Sequence, residues 1–131
     1  MKNFIFFVGL MLSVVEANNI IIVRDATLLH EITFDRVNIE NIITFTDDKD
    51  CRFHGMAKNE IDIGRVFVKL NKKTCLINNI AIEQKIDGFA VDEDEKVGLS
   101  IDESFQDRTY HAVLKLRKKV TLVIKMEELK K

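Results

Sequence analysis

Apolar and polar residues alternate in short stretches along most of the chain, which is the pattern of half-buried β-strands. In the clearest stretch, Val66, Val68 and Leu70 would share one face of a strand. The pair Asn78-Asn79 separates two such stretches and predicts a hairpin turn, because asparagine tolerates positive φ. Further stretches that we interpret as strands lie at residues 20–23, 34–45, 76–77, 80–86, 89–91, 97–101, 113–116 and 120–124.

Four segments depart from plain alternation. The run at residues 20–23 is continuously β-branched, which predicts a strand buried on both faces. Asp25, with leucines and an isoleucine following at helical spacing, predicts a short capped helix. Residues 71–74 predict a turn, and Asp87-Gly88 predicts a bulge or bend before the next strand. The short strands and turn signals together predict an all-β fold, either a small β-barrel or a sandwich.

The N-terminal residues have the three-part layout of a secretory signal peptide. A basic start precedes the apolar residues 4–15, a run shorter than the roughly 20 residues that a membrane-spanning helix needs. A buried N-terminal strand or helix is the alternative. We expect cleavage between Ala17 and Asn18, which would remove residues 1–17 and leave residues 18–131 as a single secreted domain.

Composition and charge narrow the possible partners. The 131 residues include 20 basic and 21 acidic side chains, so the net charge of −1 gives no electrostatic case for nucleic acid or for anionic lipid. His30, His54 and His111 are scattered, and no serine lies in a Gly-x-Ser-x-Gly motif. The sequence therefore predicts no catalytic residues, no enzymatic activity, no cofactor and no small-molecule substrate.

Cys51 and Cys75 are the two cysteines of the chain. In an exported protein they have one obvious pairing, which predicts a structural disulfide. A metal site is one rival, but with His54 the cysteines would supply three ligands at unsuitable spacing. A redox-active pair is the other rival, and it more often has a Cys-x-x-Cys arrangement. We therefore expect a disulfide and no metal.

A more specific pattern lies between the first cysteine and residue 99. It consists of Cys51-x-x-x-Gly55, Arg65 with alternating apolar residues, Cys75, and the run Ile82-Glu83-x-x-Ile86-Asp87-Gly88-Phe89-Ala90-Val91-x-Glu93-Asp94-x-Lys96-x-Gly98-Leu99. In these residues the chain resembles the TraB-like proteins, the conjugal-transfer members of the scaffold family that links the inner and outer membranes in type IV secretion systems. The resemblance covers residues 37–99 and implies a periplasmic β-barrel that assembles into a ring beneath or within the outer membrane.

The chain also departs from that family. Such scaffolds usually have an inner-membrane helix, a proline-rich stalk and a helical insertion, whereas this chain has no proline and no second apolar stretch of spanning length. Glu95 replaces a glycine of the acidic loop, and Ser100-Ile101 replaces a basic-glycine pair. The pore-forming role therefore does not carry over, and the resemblance implies a small structural or accessory subunit of a trans-envelope machine.

Two functional hypotheses follow. In the first, the subunit serves type IV secretion, conjugation or type IV pilus biogenesis by contacting an outer-membrane secretin or the ring proteins of a secretion core, as part of a homo- or hetero-oligomer. The run Ile20, Ile21, Ile22 and Val23 would then pair with a strand of the partner, with an ordinary core strand as the alternative. In the second hypothesis, the protein is a free secreted binder or inhibitor of a soluble target such as a lytic enzyme.

Overall fold

The computed structural model describes residues 19–106 and 110–127, and in these residues the chain forms ten β-strands and no helix. The strands are β1 (Asn19–Leu28), β2 (Ile32–Asp35), β3 (Glu40–Thr46), β4 (Cys51–Glu60), β5 (Arg65–Ile77), β6 (Ile80–Val91), β7 (Leu99–Ser100), β8 (Glu103–Gln106), β9 (Tyr110–Leu114) and β10 (Lys119–Glu127). The predicted signal peptide and its cleavage site between Ala17 and Asn18 lie outside the described residues.

Six of the strands close into a barrel. In the order β4, β3, β1, β10, β6 and β5, each strand pairs with the next, and β5 pairs back with β4. All six pairings are antiparallel. β7 pairs with the start of β5, and β2, β9 and β8 form a separate three-stranded sheet. The prediction of an all-β fold, a small barrel or sandwich, is confirmed, and the closed circuit of strands makes it a barrel.

The barrel is joined least extensively between β1 and β3. β1 pairs with β10 along nine consecutive residue pairs. With β3 it pairs through Thr27–Thr46 and Leu28–Phe45 alone. Because β3 ends at Thr46, the part of β1 that precedes Thr27 runs past the end of β3.

The hydrophobic core fills the barrel and continues under the three-stranded sheet. Strand geometry directs every second side chain inward, and Val66, Val68 and Leu70, which were predicted to share one face, are buried. The largest fully buried side chains are Phe34, Phe45, Phe53, Leu28, Ile43, Leu70, Leu99, Leu114, Leu122, Ile124, Val66 and Asn59. Since these residues come from both sheets, the two sheets share one core.

Two close approaches between strands require glycine. At Gly55 the register of β4 with β5 shifts, and a Cβ atom there would collide with the carbonyl oxygen of Lys69. At Gly88 a Cβ atom would lie 2.5 Å from the carbonyl oxygen of Val123 on β10. The predicted bulge at this point is confirmed, because the register of β5 with β6 shifts next to the Leu70–Gly88 pair.

Two local predictions of secondary structure are wrong. The segment after Asp25 is not a helix, because β1 continues to Leu28, residues 29–30 form a bend, and β2 begins at Ile32. Residues 71–74 are strand rather than turn. There β5 is held on both edges, by β4 and by β6, and this pairing outweighs the local preference of a polar segment for a turn.

The run at residues 20–23 is also placed differently from the prediction. Ile22 packs against the core, as expected for one face of the strand. Ile21 and Val23, however, are 69% and 66% exposed, so the strand is not buried on both faces. The reason is architectural, because the outer face of a barrel strand is covered only where a second layer packs on it.

One disulfide links β4 to β5. Cys51 and Cys75 are cross-strand partners whose Cα atoms lie 4.0 Å apart, so the predicted disulfide is confirmed. A disulfide is typical of an oxidising compartment and therefore indicates an exported protein. Among the described residues, no helical segment has the length and hydropathy that crossing a bilayer requires.

Candidate protein-binding surface

A row of side chains, apolar on five strands and a lysine on the sixth, runs around the outside of the barrel. We call this row the outer belt. Its members are consecutive cross-strand partners, in the order Val23, Val123, Phe89, Lys69, Met56 and Ile42. Directly opposed residues on one face have Cβ atoms about 5 Å apart, so the six side chains are direct neighbours. The outer belt is thus one continuous surface.

The outer belt is open to solvent. Ile42 is 74% exposed and Val23 is 66% exposed, while Met56 and Phe89 are about 40% exposed. Lys69 interrupts the apolar row, but the aliphatic part of a lysine side chain can lie along apolar surface while its charge remains in water. Exposed apolar residues are ordinary when they are scattered, whereas a contiguous row of them marks an interaction site.

The local sequence explains why apolar side chains point outward here. Val123 stands between the buried Leu122 and Ile124, so β10 is apolar on both faces at this point. Phe89 likewise precedes the buried Ala90 on β6. An outward position on a barrel strand usually carries a polar side chain, and neither residue is needed to fill the core.

Polar residues border the outer belt on both sides. On one side the neighbouring row of partners contains Lys125 and Asp87 beside Ile21. On the other side it contains Asp25 and Thr121 beside Val91. An apolar centre with a polar rim is the usual anatomy of a protein–protein interface. At the Met56 end, a shallow depression of about 370 Å³ lies between β3, β4 and β5.

The end of the hairpin formed by β5 and β6 is a second exposed apolar surface. We call residues 76–82 the hairpin tip. Its four large aliphatic side chains, each 47% to 62% exposed, are Leu76, Ile77, Ile80 and Ile82. The predicted turn is confirmed, since Asn78 and Asn79 have φ values of 54° and 67°. The Cys51–Cys75 disulfide lies at the base of the tip.

The residues predicted to bind a partner lie in β1. Val23 belongs to the outer belt, and Ile21 lies on the same outer face one row away. Ile22 lies on the other face of the strand and packs against the core, whereas Ile20, near the start of the strand, is 37% exposed. The run of residues 20–23 is therefore divided between the core and the outer surface.

Sequence reasoning missed the outer-belt residues on the other five strands. The signal was present in the two-sided apolar segments at residues 122–124 and 89–91, which we interpreted only as strands. That these segments face outward next to Met56 and Ile42 depends on strand order and register, which alternation along one strand does not specify.

His54 lies on the same outer face, close to Ile42 and Met56. Its Nδ1 and Nε2 atoms are each 3.3 Å from a threonine hydroxyl, those of Thr44 and Thr74 respectively. Burial lowers the pKa of His54, and the nearby charges of Lys72 and Arg52 lower it further. The imidazole is therefore held between two hydroxyl groups and favours its neutral form.

A partly buried ion-pair cluster lies where β7 meets the turn before β10. The amide and the hydroxyl of Ser100 donate to Asp92 at 2.6 and 2.7 Å, and Lys118 Nζ lies 2.7 Å from Asp102. Burial raises the pKa of Asp92, but the bonds from Ser100 and Glu93 and the charge of Lys118 outweigh it, so the pKa lies below its ordinary value. Since Ser100 directs its proton to Asp92 and not to Lys118, the cluster ties the fold together and does not form a serine–lysine nucleophile.

Arg65 holds the acidic loop that follows β6. Its guanidinium forms two hydrogen bonds with the carboxylate of Asp94 and donates to the carbonyl oxygens of Val97 and Gly98. The hydrogen bond from Arg65 lowers the pKa of Asp94. In the described part of the chain, no three His, Cys, Asp or Glu side chains are grouped in a way that could hold a metal ion.

Comparison with known proteins finds no family model and no curated protein that matches the chain. The resemblance to the TraB-like proteins therefore rests on the residues quoted above and stays a prediction. The outer belt and the hairpin tip are features of this chain's own structure, and they carry the functional argument without that resemblance.

Proposed function

We propose that the protein is a small exported subunit that binds another protein of the cell envelope through its outer belt. In this proposal it is an accessory part of a trans-envelope machine, of the type IV secretion, conjugation or type IV pilus kind. It would reside in the periplasm, in contact with a secretin or ring protein of the outer membrane. The observation that carries the proposal is the solvent-facing row from Val23 to Ile42, in which five of the six side chains are apolar.

The energetic argument concerns the cost of leaving this row in water. Complete burial of a Val, Ile, Met or Phe side chain stabilises by about 1.5–3 kcal/mol. Covering the partly exposed members of the outer belt would therefore contribute a few kcal/mol, which is enough to form the centre of an interface with a polar rim around it. In the isolated barrel Ile42 and Val23 leave most of their surface in water, and Met56 and Phe89 leave about 40% of theirs.

Three further points support an envelope subunit. The disulfide fits an oxidising compartment. The N-terminal sequence has the layout of a signal peptide. The residues between Cys51 and Leu99 resemble a family that builds rings across the envelope. The last point is an analogy of sequence pattern. It suggests which kind of machine the protein belongs to, whereas the argument for a binding surface does not depend on it.

The test is site-specific cross-linking in the organism that encodes the protein. A photo-cross-linking residue on the rim, at Thr121, would be combined with Ile42→Lys, which places a charge in the outer belt. Val37→Lys is the matched control, because Val37 is 86% exposed and lies outside the outer belt. Neither substitution removes a core contact, so both variants should keep the thermal stability of the parent protein.

We expect the parent and Val37→Lys to capture the same secretin or ring protein, and Ile42→Lys to lose it. Equal capture by all three proteins would contradict a role for the outer belt. If the outer belt captured only a soluble enzyme, and the protein were free in the periplasmic fraction, the machine subunit would be replaced by the second hypothesis, a secreted binder or inhibitor.

A further inference from the structure

One edge of β1 carries backbone groups that no strand of the described structure pairs. The amide of Leu28 donates to the carbonyl oxygen of Lys118, the residue that precedes β10. Along a strand, the backbone N–H and C=O groups of one residue point to one edge and those of the next residue point to the other edge, so every second residue faces the same neighbouring strand. Ile22 and Arg24 therefore face β10, whereas Ile21, Val23 and Asp25 direct their N–H and C=O groups to the opposite edge. On that edge, pairing with β3 begins only at Thr27.

This edge lacks the features that usually protect an exposed strand. Such edges are commonly blocked by proline, by bulges or by charged side chains. β1 contains no proline, and its pairing with β10 has no register shift. Of its two charged residues, Arg24 is held by Asp47 at 3.1 Å, at the end of the free stretch. The backbone groups along the edge beside Ile21 and Val23 are thus able to form hydrogen bonds with a further strand.

An acidic hollow lies at the end of this free edge. It has a volume of about 430 Å³, and its charged lining residues are Asp25, Asp47, Asp48, Glu93 and Lys119. Asp47 is paired with Arg24. Within the described part of the chain, Asp25, Asp48 and Glu93 form no ion pair, so the hollow has an excess of negative charge that Lys119 only partly balances.

We propose that β1 takes up an extended segment of the partner protein as an added antiparallel strand, with a basic side chain of that segment in the acidic hollow. This inference rests on the proposed function, because it describes how the partner would be held. All pairings between named strands of this protein are antiparallel, and such pairing is slightly more stable per residue than parallel pairing.

The register of such a strand specifies its sequence. In an antiparallel pair, directly opposed residues lie on the same face and run in opposite directions along the chain. The incoming residue opposite Asp25 should be Lys or Arg, the second residue after it would face Val23, and the fourth would face Ile21. The predicted motif is therefore basic-x-apolar-x-apolar, and its apolar residues would extend the outer belt by one strand.

A second copy of β1 does not fit this description. The basic residue of β1 is Arg24, and the residues two and four positions after it are Ala26 and Leu28. Both are buried in the barrel and cannot face a neighbouring copy. The charge and the apolar spacing thus favour a different protein as the occupant.

The test selects binders from a phage-displayed library of random dodecapeptides on the immobilised mature protein. The affinity of a selected peptide is then measured by fluorescence anisotropy for the parent protein and for Ile21→Pro and Ile21→Ala. Proline removes the N–H group that faces the free edge and is tolerated on edge strands, whereas alanine removes only the side chain. Circular dichroism confirms that each variant is folded.

We expect the selected peptides to carry the basic-x-apolar-x-apolar motif. Ile21→Pro should weaken binding about tenfold or more, as expected from the loss of one or two backbone hydrogen bonds, and Ile21→Ala about threefold or less. Asp25→Asn combined with Glu93→Gln should weaken binding of the basic peptide and reduce its dependence on salt.

A second measurement acts on the peptide and does not depend on the folding of any variant. N-methylation of the residue that faces Val23 should abolish binding, because its amide points to β1. N-methylation of the next residue should not, because its amide points to solvent. Equal effects of the two methylations, or selected peptides without the motif, would overturn the inference. A dimer in sedimentation velocity that Ile21→Pro dissociates would also overturn it, since a second copy would then occupy the edge.

The experiments distinguish a failure of the added-strand inference from a failure of the proposed function. Val37 is 86% exposed and lies outside both the outer belt and the free edge, so Val37→Lys should leave peptide binding unchanged. Loss of cross-linked capture in Ile42→Lys, together with no selected peptide, would keep the outer belt as the binding surface and remove only the added strand.

Discussion

Replacement of both Cys51 and Cys75 by serine removes the covalent link between β4 and β5. The two residues are 24 positions apart in sequence, so the bond closes a loop that contains nearly all of β4 and most of β5. In the folded barrel the two strands stay hydrogen-bonded without the disulfide. The main effect of the substitution is therefore on the unfolded chain, which gains freedom when the loop opens.

The size of this effect follows from the loop length. The chain-entropy relation gives about 3.5 kcal/mol for a loop of about 25 residues. That is a large share of the roughly 5–15 kcal/mol by which a domain is usually stable. For a domain of this size, the melting temperature should fall by roughly 10–20 °C. Both cysteines are half-buried, so serine hydroxyl groups can reach water and should add little further cost.

The assay is urea unfolding of the oxidised mature protein and of the double variant, followed by circular dichroism. The free energy of unfolding should fall by about 3.5 kcal/mol, and the urea dependence should steepen because the unfolded chain exposes more surface without the cross-link. A double alanine variant controls for the serine hydroxyls. A double variant within about 1 kcal/mol of the parent would refute the reasoning.

Two further predictions concern single residues. Gly55→Ala should lower the free energy of unfolding by about 3 kcal/mol, because the new methyl group would meet the backbone of Lys69. Gly64→Ala, where φ is +77° and the space is open, should cost only about 1 kcal/mol, and a similar loss at both glycines would contradict the argument. His54 should titrate below its ordinary value of 6.5 in an NMR titration. Between pH 6.5 and the lower pKa of His54 in the folded protein, this histidine binds a proton in the unfolded chain but not in the folded one. The free energy of unfolding of the parent should therefore fall with pH in this range, and it should fall more than that of His54→Gln. An unchanged or raised pKa would show that the neighbouring cations and burial do not act as described.

Much of the fold could be predicted because its signals are local. The alternation of Val66, Val68 and Leu70 and the asparagine pair of the hairpin turn each depend on a few consecutive residues. The disulfide could be predicted because two cysteines allow one pairing. The segment around residues 71–74 could not, since its polar residues are strand only because two other strands hold both edges of β5.

The candidate site was predictable only in part. The run containing Ile21 and Val23 stands out in sequence as a strand with β-branched residues on both faces. Whether such a run is a central core strand or an edge depends on which strands lie beside it. Here β3 pairs with only two residues of β1, so the run that contains Ile21 and Val23 has a free edge. The outer belt depends further on the register of six strands. Met56, for example, lies opposite Lys69 because the register shifts at Gly55. Information of this kind is not contained in any single segment.

The position of the disulfide also determines how the barrel would respond to mechanical force. A pull on the hairpin tip acts on β5 and β6 along the strand axes. In this direction all the hydrogen bonds of a strand pair resist the sliding of one strand past the other at the same time. The Cys51–Cys75 bond lies at the base of the tip and joins β5 to the first residue of β4. Tension applied at the tip is therefore passed covalently to a third strand before any hydrogen bond of the β4–β5 pair has to break. A partner that gripped this hairpin would therefore be attached to three strands rather than two.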